Sequence, residues 1–282
     1  MNSKLAFRSF VLTILGAFAC TTYSQTTEEH SSTELADSQI LQVIEGAGSE
    51  PTGELLEYYD EAKGYLAVPE GDGPFGSIIL IHEWNGLVTR VKQVADALAQ
   101  EGYLALAADL YSGRTGSNPQ ENMALVRETR GDPNTLIANL NAAVQYLKDR
   151  SDSNGQVATI GWCFGGGVAL TFAMGGEHHD GTAIFYGQLL YDPEELGNMH
   201  HEFHGTFAGQ DRGPTVEQVQ EFAKVLRDAG IPNDIHIYDP VQHGFWLYVE
   251  RDLETNKEPA KHAWGRLKSF FDRILNGENE DS

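Results

Sequence analysis

Cysteine is nearly missing from this chain: its 282 residues include only Cys20 and Cys163. Two cysteines cannot build a disulfide framework. If Cys20 is removed with a leader or acylated, Cys163 is a lone thiol, and an unpaired thiol in a secreted protein calls for an explanation. Basic residues are also scarce. Nineteen Lys and Arg face 41 Asp and Glu, a formal charge of −22, which repels phosphate backbones and argues against a nucleic-acid partner. No acidic block is long enough to act as a dedicated tail, so the charge reads as solubility. Long apolar runs are missing too. The one at Phe10 to Ala19 is too short to span a bilayer. There is no internal repeat and no second domain boundary. What remains is a globular balance of 41% hydrophobic and 21% charged residues, enough for one sizeable core.

The N-terminus has the anatomy of an export signal. Lys4 and Arg8 precede the apolar run, and small residues close it. Cleavage after Ala19 would leave Cys20 as the first residue and a candidate lipid anchor, although Ala17-Phe18-Ala19 fits a bacterial lipobox poorly. Cleavage near Ser24 or Gln25 would leave a free protein. The expected organisation is a signal peptide over 1–24, a flexible polar segment over 25–52 and one domain over 53–282. The folded part itself is expected to begin between Ile40 and Tyr58, and the protein to be periplasmic or secreted.

Beyond that point, apolar runs alternate with amphipathic stretches. Strands are expected at 77–82, 103–110, 156–162, 182–186, 205–208 and 234–238. Helices are expected at 88–101, 118–130, 133–150, 164–174, 215–229 and 259–275. The alternation predicts an α/β fold: a mostly parallel sheet with helices on both faces, and a ligand crevice at the carboxyl ends of the strands.

The chemically suggestive residues follow those strands. Gly161-Trp162-Cys163-Phe164-Gly165 has the form G-x-C-x-G between a strand and a helix, the setting of the nucleophile in an α/β-hydrolase. A helix N-terminus beyond it favours a thiolate. The plain alternative is a glycine-rich turn with a buried thiol. Downstream, Asp211 follows the strand at 205–208, and His243 lies in a loop after the strand at 234–238. This gives the order nucleophile, acid, histidine, in which Asp211 fixes the imidazole tautomer and His243 moves protons. Taken singly, Asp211 is an ordinary turn cap and His243 a surface histidine. The loop His82-Glu83-Trp84-Asn85-Gly86 follows the first parallel strand, and the backbone N–H groups of Trp84 and Phe164 are the candidate oxyanion donors. His82 reads as a wall or core residue. Trp84, Tyr111, Phe164, Phe245 and Trp246 gather around this site in sequence, either as aromatic walls or as ordinary core. The pair His200 and His204 has helical metal spacing, but its second member enters a strand and no acidic third ligand accompanies it, so no metal is assigned.

H-E-W-N-G-L, A-D-L-Y, G-W-C-F-G-G-G, G-x-x-D and H-G-F, in that order, resemble the dienelactone hydrolase family from about Gly53 to the last helix. The resemblance implies hydrolysis of a carboxylic ester or lactone through a thioester, with Cys163, Asp211 and His243 as the triad and no cofactor. It also implies that Glu83 is the resting partner of the thiol. Family members that cleave dienelactone hold the substrate carboxylate with two arginines. Arg114 lies near the first position, and Tyr111 and Trp246 are candidate neighbours of the substrate. The second position is Leu247, with Arg251 the nearest arginine, so the clamp is half missing or rearranged. Two other readings stay open: a general carboxylesterase acting on neutral esters, and a non-catalytic ligand-binding or thiol-sensing protein.

Overall fold

The computed structural model describes residues 38–277. The expected signal peptide, Cys20 and the polar segment up to residue 37 lie outside them. The described chain forms one eight-stranded sheet in the order β1-β2-β4-β3-β5-β6-β7-β8. Its strands are β1 (Glu54–Tyr59), β2 (Ala62–Ala67), β3 (Phe75–Ile81), β4 (Leu104–Ala108), β5 (Ser153–Trp162), β6 (Gly181–Phe185), β7 (Glu202–Ala208) and β8 (Asn233–Tyr238). From β4 to β8 every pairing is parallel, while β1–β2 and β2–β4 are antiparallel. β3 and β4 are almost wholly buried, as continuous apolar runs in a parallel sheet require. The sequence did not predict the β1–β2 hairpin. Its edge strand ELLEYY is largely exposed and lacks clean alternation, so it carries little periodic signal.

Two apolar layers sandwich the sheet. On one face lie α1 (Gln39–Gln42), α2 (Thr89–Gln100) and α8 (Leu253–Asn276). On the other lie α3 (Pro119–Gly131), α4 (Pro133–Lys148), α5 (Phe164–Gly175) and α7 (Val216–Asp228). The four-residue α6 (Pro193–Leu196) precedes β7. Each fully buried Leu or Phe in these layers contributes roughly 1.5–3 kcal/mol.

Two boundaries differ from expectation. Within the segment expected to be flexible, residues 39–47 are helical, and Ile40 and Ile44 are fully buried in the α2–α8 layer. A few apolar residues at helical spacing, ending at Gly46, are too short to stand out in sequence. The last helix begins at Leu253 rather than Pro259, because the Asp252 side chain accepts from Thr255 N and starts the helix upstream of the proline.

Each suggestive residue lies just beyond the carboxyl end of a parallel strand: Glu83 after β3, Cys163 after β5, Asp211 after β7 and His243 after β8. The topology therefore carries them to one edge of the sheet.

Candidate active site

Cys163 stands alone between β5 and α5, with φ 54° and ψ −114°. A non-glycine residue held in that region costs about 1–3 kcal/mol and persists only where its surroundings fix it. Here they do. Cys163 N donates to Phe185 O at 3.0 Å, and Gly167 N donates to Cys163 O at 3.3 Å. Two glycines let α5 sit directly on the sheet. A Cβ on Gly161 would lie 2.1 Å from Gly165 O, and one on Gly165 would lie 2.2 Å from Ile81 O. The sharp turn leaves the thiol half-exposed at the helix N-terminus.

Beside the sulfur, His243 Nδ1 is 2.7 Å from Asp211 Oδ2. Asp211 Oδ1 accepts from Gly213 N at 3.0 Å, and its side chain is only 4% exposed. With Nδ1 engaged, Nε2 is the nitrogen left to face Cys163. Burial alone would lower the imidazole pKa, but hydrogen bonds to Asp211 and Cys163, with their charges, more than offset it and push it up to about 10. Cys163, Asp211 and His243 are thus brought together from three loops.

The loop after β3 closes the other side. His82 is fully buried; its Nδ1 is 2.6 Å from Glu83 O, and its Nε2 accepts from Leu110 N at 3.3 Å. It therefore ties the β3 and β4 loops together as a core residue. Tyr111 O–H donates to Trp84 O at 3.2 Å, and the Tyr111 ring packs on His82 and Phe164. Phe164 is the first residue of α5, so its N–H has no acceptor within the helix. The Trp84 N–H donates in no hydrogen bond among the described residues. Glu83 is buried, and burial raises its carboxyl pKa against the pull of His243, Arg251 and Tyr248. No Glu83–Cys163 hydrogen bond occurs among the described residues, so the thiol's partner in this arrangement is His243.

A model of the dienelactone hydrolase family matches residues 62–275. The chain belongs to the dienelactone hydrolase family. That makes it an α/β-hydrolase fold enzyme of the ester- and lactone-cleaving type. It is 30% identical over 234 residues to the protein usf of Aquifex pyrophilus, covering 79% of this chain and 99% of that one. A relative in Aquifex aeolicus, provisionally named a carboxymethylenebutenolidase, is 28% identical over 234 residues, with coverages of 79% and 99%. Among solved structures, a dienelactone hydrolase-like promiscuous phosphotriesterase from metagenomic libraries superposes with a TM-score of 0.71 at 21% identity, covering 80% of this chain and all of that one.

The family's substrate clamp is not reproduced. Arg114 faces away from the cleft. Its guanidinium forks onto Glu128 at 2.6 and 2.9 Å, and its Nε donates to Tyr111 O. It lines a separate hollow with Tyr59 and Asp60. Leu247 is fully buried. Arg251 packs 3.8 Å above the Tyr248 ring, near Glu83. Two expected substrate contacts are also corrected. Trp246 is fully buried, stacked on Trp162 and against Phe185. It points into the sheet because the loop after His243 dives back into the core. Tyr111 is fully buried behind the Trp84 loop. The cleft over Cys163 has a volume of ≈ 530 Å³, and its walls include Trp84, Val126, Arg130, Leu189, Tyr191 and Pro214.

Sequence reading missed Tyr186 and Arg130. Tyr186 follows β6 at φ 42°, and its ring centre lies 4.8 Å from that of His243. Its position just after a parallel strand was the only available signal. Arg130 closes α3, which is remote in sequence from every motif. Of the pair with metal-like spacing, His204 is buried in β7 beside Asp234 at 3.5 Å, and His200 is exposed just before that strand, so both lie toward the opposite end of the sheet from Cys163.

Proposed function

We propose that this protein hydrolyses a carboxylic ester or lactone with Cys163 as covalent nucleophile, His243 as proton carrier and Asp211 as its orienter. The observation that carries the reading is a strained, half-exposed thiol at a helix N-terminus with a carboxylate-bound imidazole beside it.

In this mechanism the thiolate attacks the substrate carbonyl carbon, and the carbonyl π electrons move to oxygen. The N–H groups of Trp84 and Phe164 hold that oxyanion. Collapse breaks the C–O bond, and protonated His243 delivers its proton to the departing alkoxide, leaving a thioester. A water molecule then attacks the thioester as His243 takes its proton. The C–S bond breaks, the acid leaves, and the thiolate–imidazolium pair is restored. Glu83 tunes the site from behind, through its field at His243 and its contact with Tyr248. With the family's clamp positions turned away, a carboxymethylenebutenolidase-like substrate would need to be held differently here, and neutral esters also fit the apolar walls. The reading includes export, supported by the sequence features over 1–24, with Cys20 as a candidate anchor.

The test is turnover of a panel of aryl esters and lactones by the mature protein and by Cys163→Ala. Turnover lost in the variant is expected, together with an acyl mass on Cys163 trapped from a slow ester. Full turnover by Cys163→Ala would refute the nucleophile.

A further inference from the structure

The lining of the cleft above Cys163 differs in charge character from the rest of the molecule. The chain carries −22, yet among the described residues no Asp or Glu lines this cleft, and its only basic groups are Arg130 and His243. His243 is occupied by Asp211 and the thiol. Arg130 is not comparably occupied. Among the described residues Arg130 forms no ion pair, as is also true of Arg127, Arg212, Arg227 and Arg251, but Arg130 alone of these arginines lines the cleft. Its described contacts are with neutral groups. Nη2 donates to Gln188 Oε1 at 3.0 Å, and the guanidinium lies 5.6 Å from the centre of the Phe164 ring.

Phe164 directly follows the nucleophile, so this cation is held close to the reacting centre. An arginine in the last turn of a helix is also favoured by the helix dipole alone. That reading does not explain its direction: Arg130 makes no described side-chain bond to the carbonyls of α3 and extends instead over the cleft floor. Gln188 is a neutral and exposed partner that an anion can displace at small cost. Once displaced, the planar fork offers two parallel N–H donors, the arrangement that suits a carboxylate.

We propose that Arg130 is the anion anchor of this cleft, and that the substrate is an ester carrying a carboxylate on its acyl or its alcohol half. The assignment rests on the hydrolase reading above and deepens it. It places the anchor at a position that neither arm of the family's clamp occupies. Gln188 holds the guanidinium over Phe164 until the substrate arrives.

The experiment compares charged and neutral esters of similar size. One pair is 4-nitrophenyl hemiglutarate and 4-nitrophenyl pentanoate, which places the charge on the acyl half. The other is 4-acetoxybenzoate and phenyl acetate, which places it on the alcohol half. In wild type, kcat/KM should favour the charged member of at least one pair, and the preference should shrink with added salt. Arg130→Gln should lower kcat/KM for that charged ester roughly tenfold more than for its neutral partner, mainly through KM, and Arg130→Lys should restore part of the difference. Arg114→Gln, in the separate hollow, should leave the ratio unchanged. Circular dichroism checks that each variant is folded. If the charged-to-neutral ratio is the same in wild type and Arg130→Gln, the anchor assignment is overturned while the hydrolase reading stands. If wild type turns over none of the four esters, the hydrolase reading falls and takes this assignment with it.

Discussion

His243 Nδ1 and Asp211 Oδ2 lie 2.7 Å apart, and the aspartate that holds the ring is itself almost shielded from solvent. A carboxylate fixed in this way sets the tautomer, so that Nε2 is the nitrogen presented to the sulfur. Asp211→Asn keeps the shape but can hold the ring in the wrong tautomer and removes the charge that stabilises imidazolium. The expected loss in kcat is on the order of 10³–10⁴. It is measured by steady-state hydrolysis of an aryl ester, with thermal melting to show that the fold survives.

The same pair fixes a pH dependence. His243 is pushed from 6.5 up to about 10 by Asp211 and Cys163, against burial. The native state therefore holds this proton more tightly than the unfolded chain. The stabilisation it supplies is full below about pH 6.5 and is lost as pH rises through about 10. In Cys163→Ala one partner is gone, so the imidazole should titrate at lower pH. Ring NMR shifts of His243 in the two proteins, followed from pH 6 to 11, check the direction.

The parallel sheet was legible because its strands are continuous apolar runs bounded by glycine and polar turns. The residues at their carboxyl ends were legible because chemistry in such sheets collects there. Cys163, Asp211, His243 and the Trp84 loop could thus be placed from order and spacing alone. The walls of the cleft could not. Whether Trp246 faces the substrate or the core depends on how the loop after His243 turns, and sequence does not encode that direction locally. Arg114 and Arg130 look alike on paper. Only the packing of α3 shows that Glu128 captures the first while the second reaches Phe164. Tyr186 offered only its place just after a strand as a signal, because a positive φ at a non-glycine residue leaves no mark in the sequence.

Trp246 gives a test of that distinction. It is fully buried between Trp162 and Phe185, so its removal should act on stability. Trp246→Ala is expected to cost about 3–5 kcal/mol, and Trp246→Phe distinctly less. Urea denaturation measures the first effect. In Trp246→Phe, KM for a short aryl ester should stay within about twofold of wild type. A large rise in KM with unchanged stability would instead return Trp246 to the substrate wall.

Glu83 separates stability from function in the opposite sense. Burial raises its carboxyl pKa, and His243, Arg251 and Tyr248 only partly oppose the effect. A carboxyl with a raised folded pKa binds protons better in the native state than in the unfolded chain. The contribution of this group to stability is therefore greatest at low pH and falls as pH rises from the unfolded value near 4.5 through the folded one. Glu83→Gln removes this titration while preserving the shape and the contact with Tyr248. Its urea midpoint should be flatter than that of wild type across the acid-to-neutral range, and at pH 7 it should equal or exceed that of wild type. Activity should move the other way, falling by about tenfold or more, because the carboxyl group that faces His243 is gone. A variant that is less stable at pH 7 and fully active would show that the carboxylate serves the fold and not the reaction.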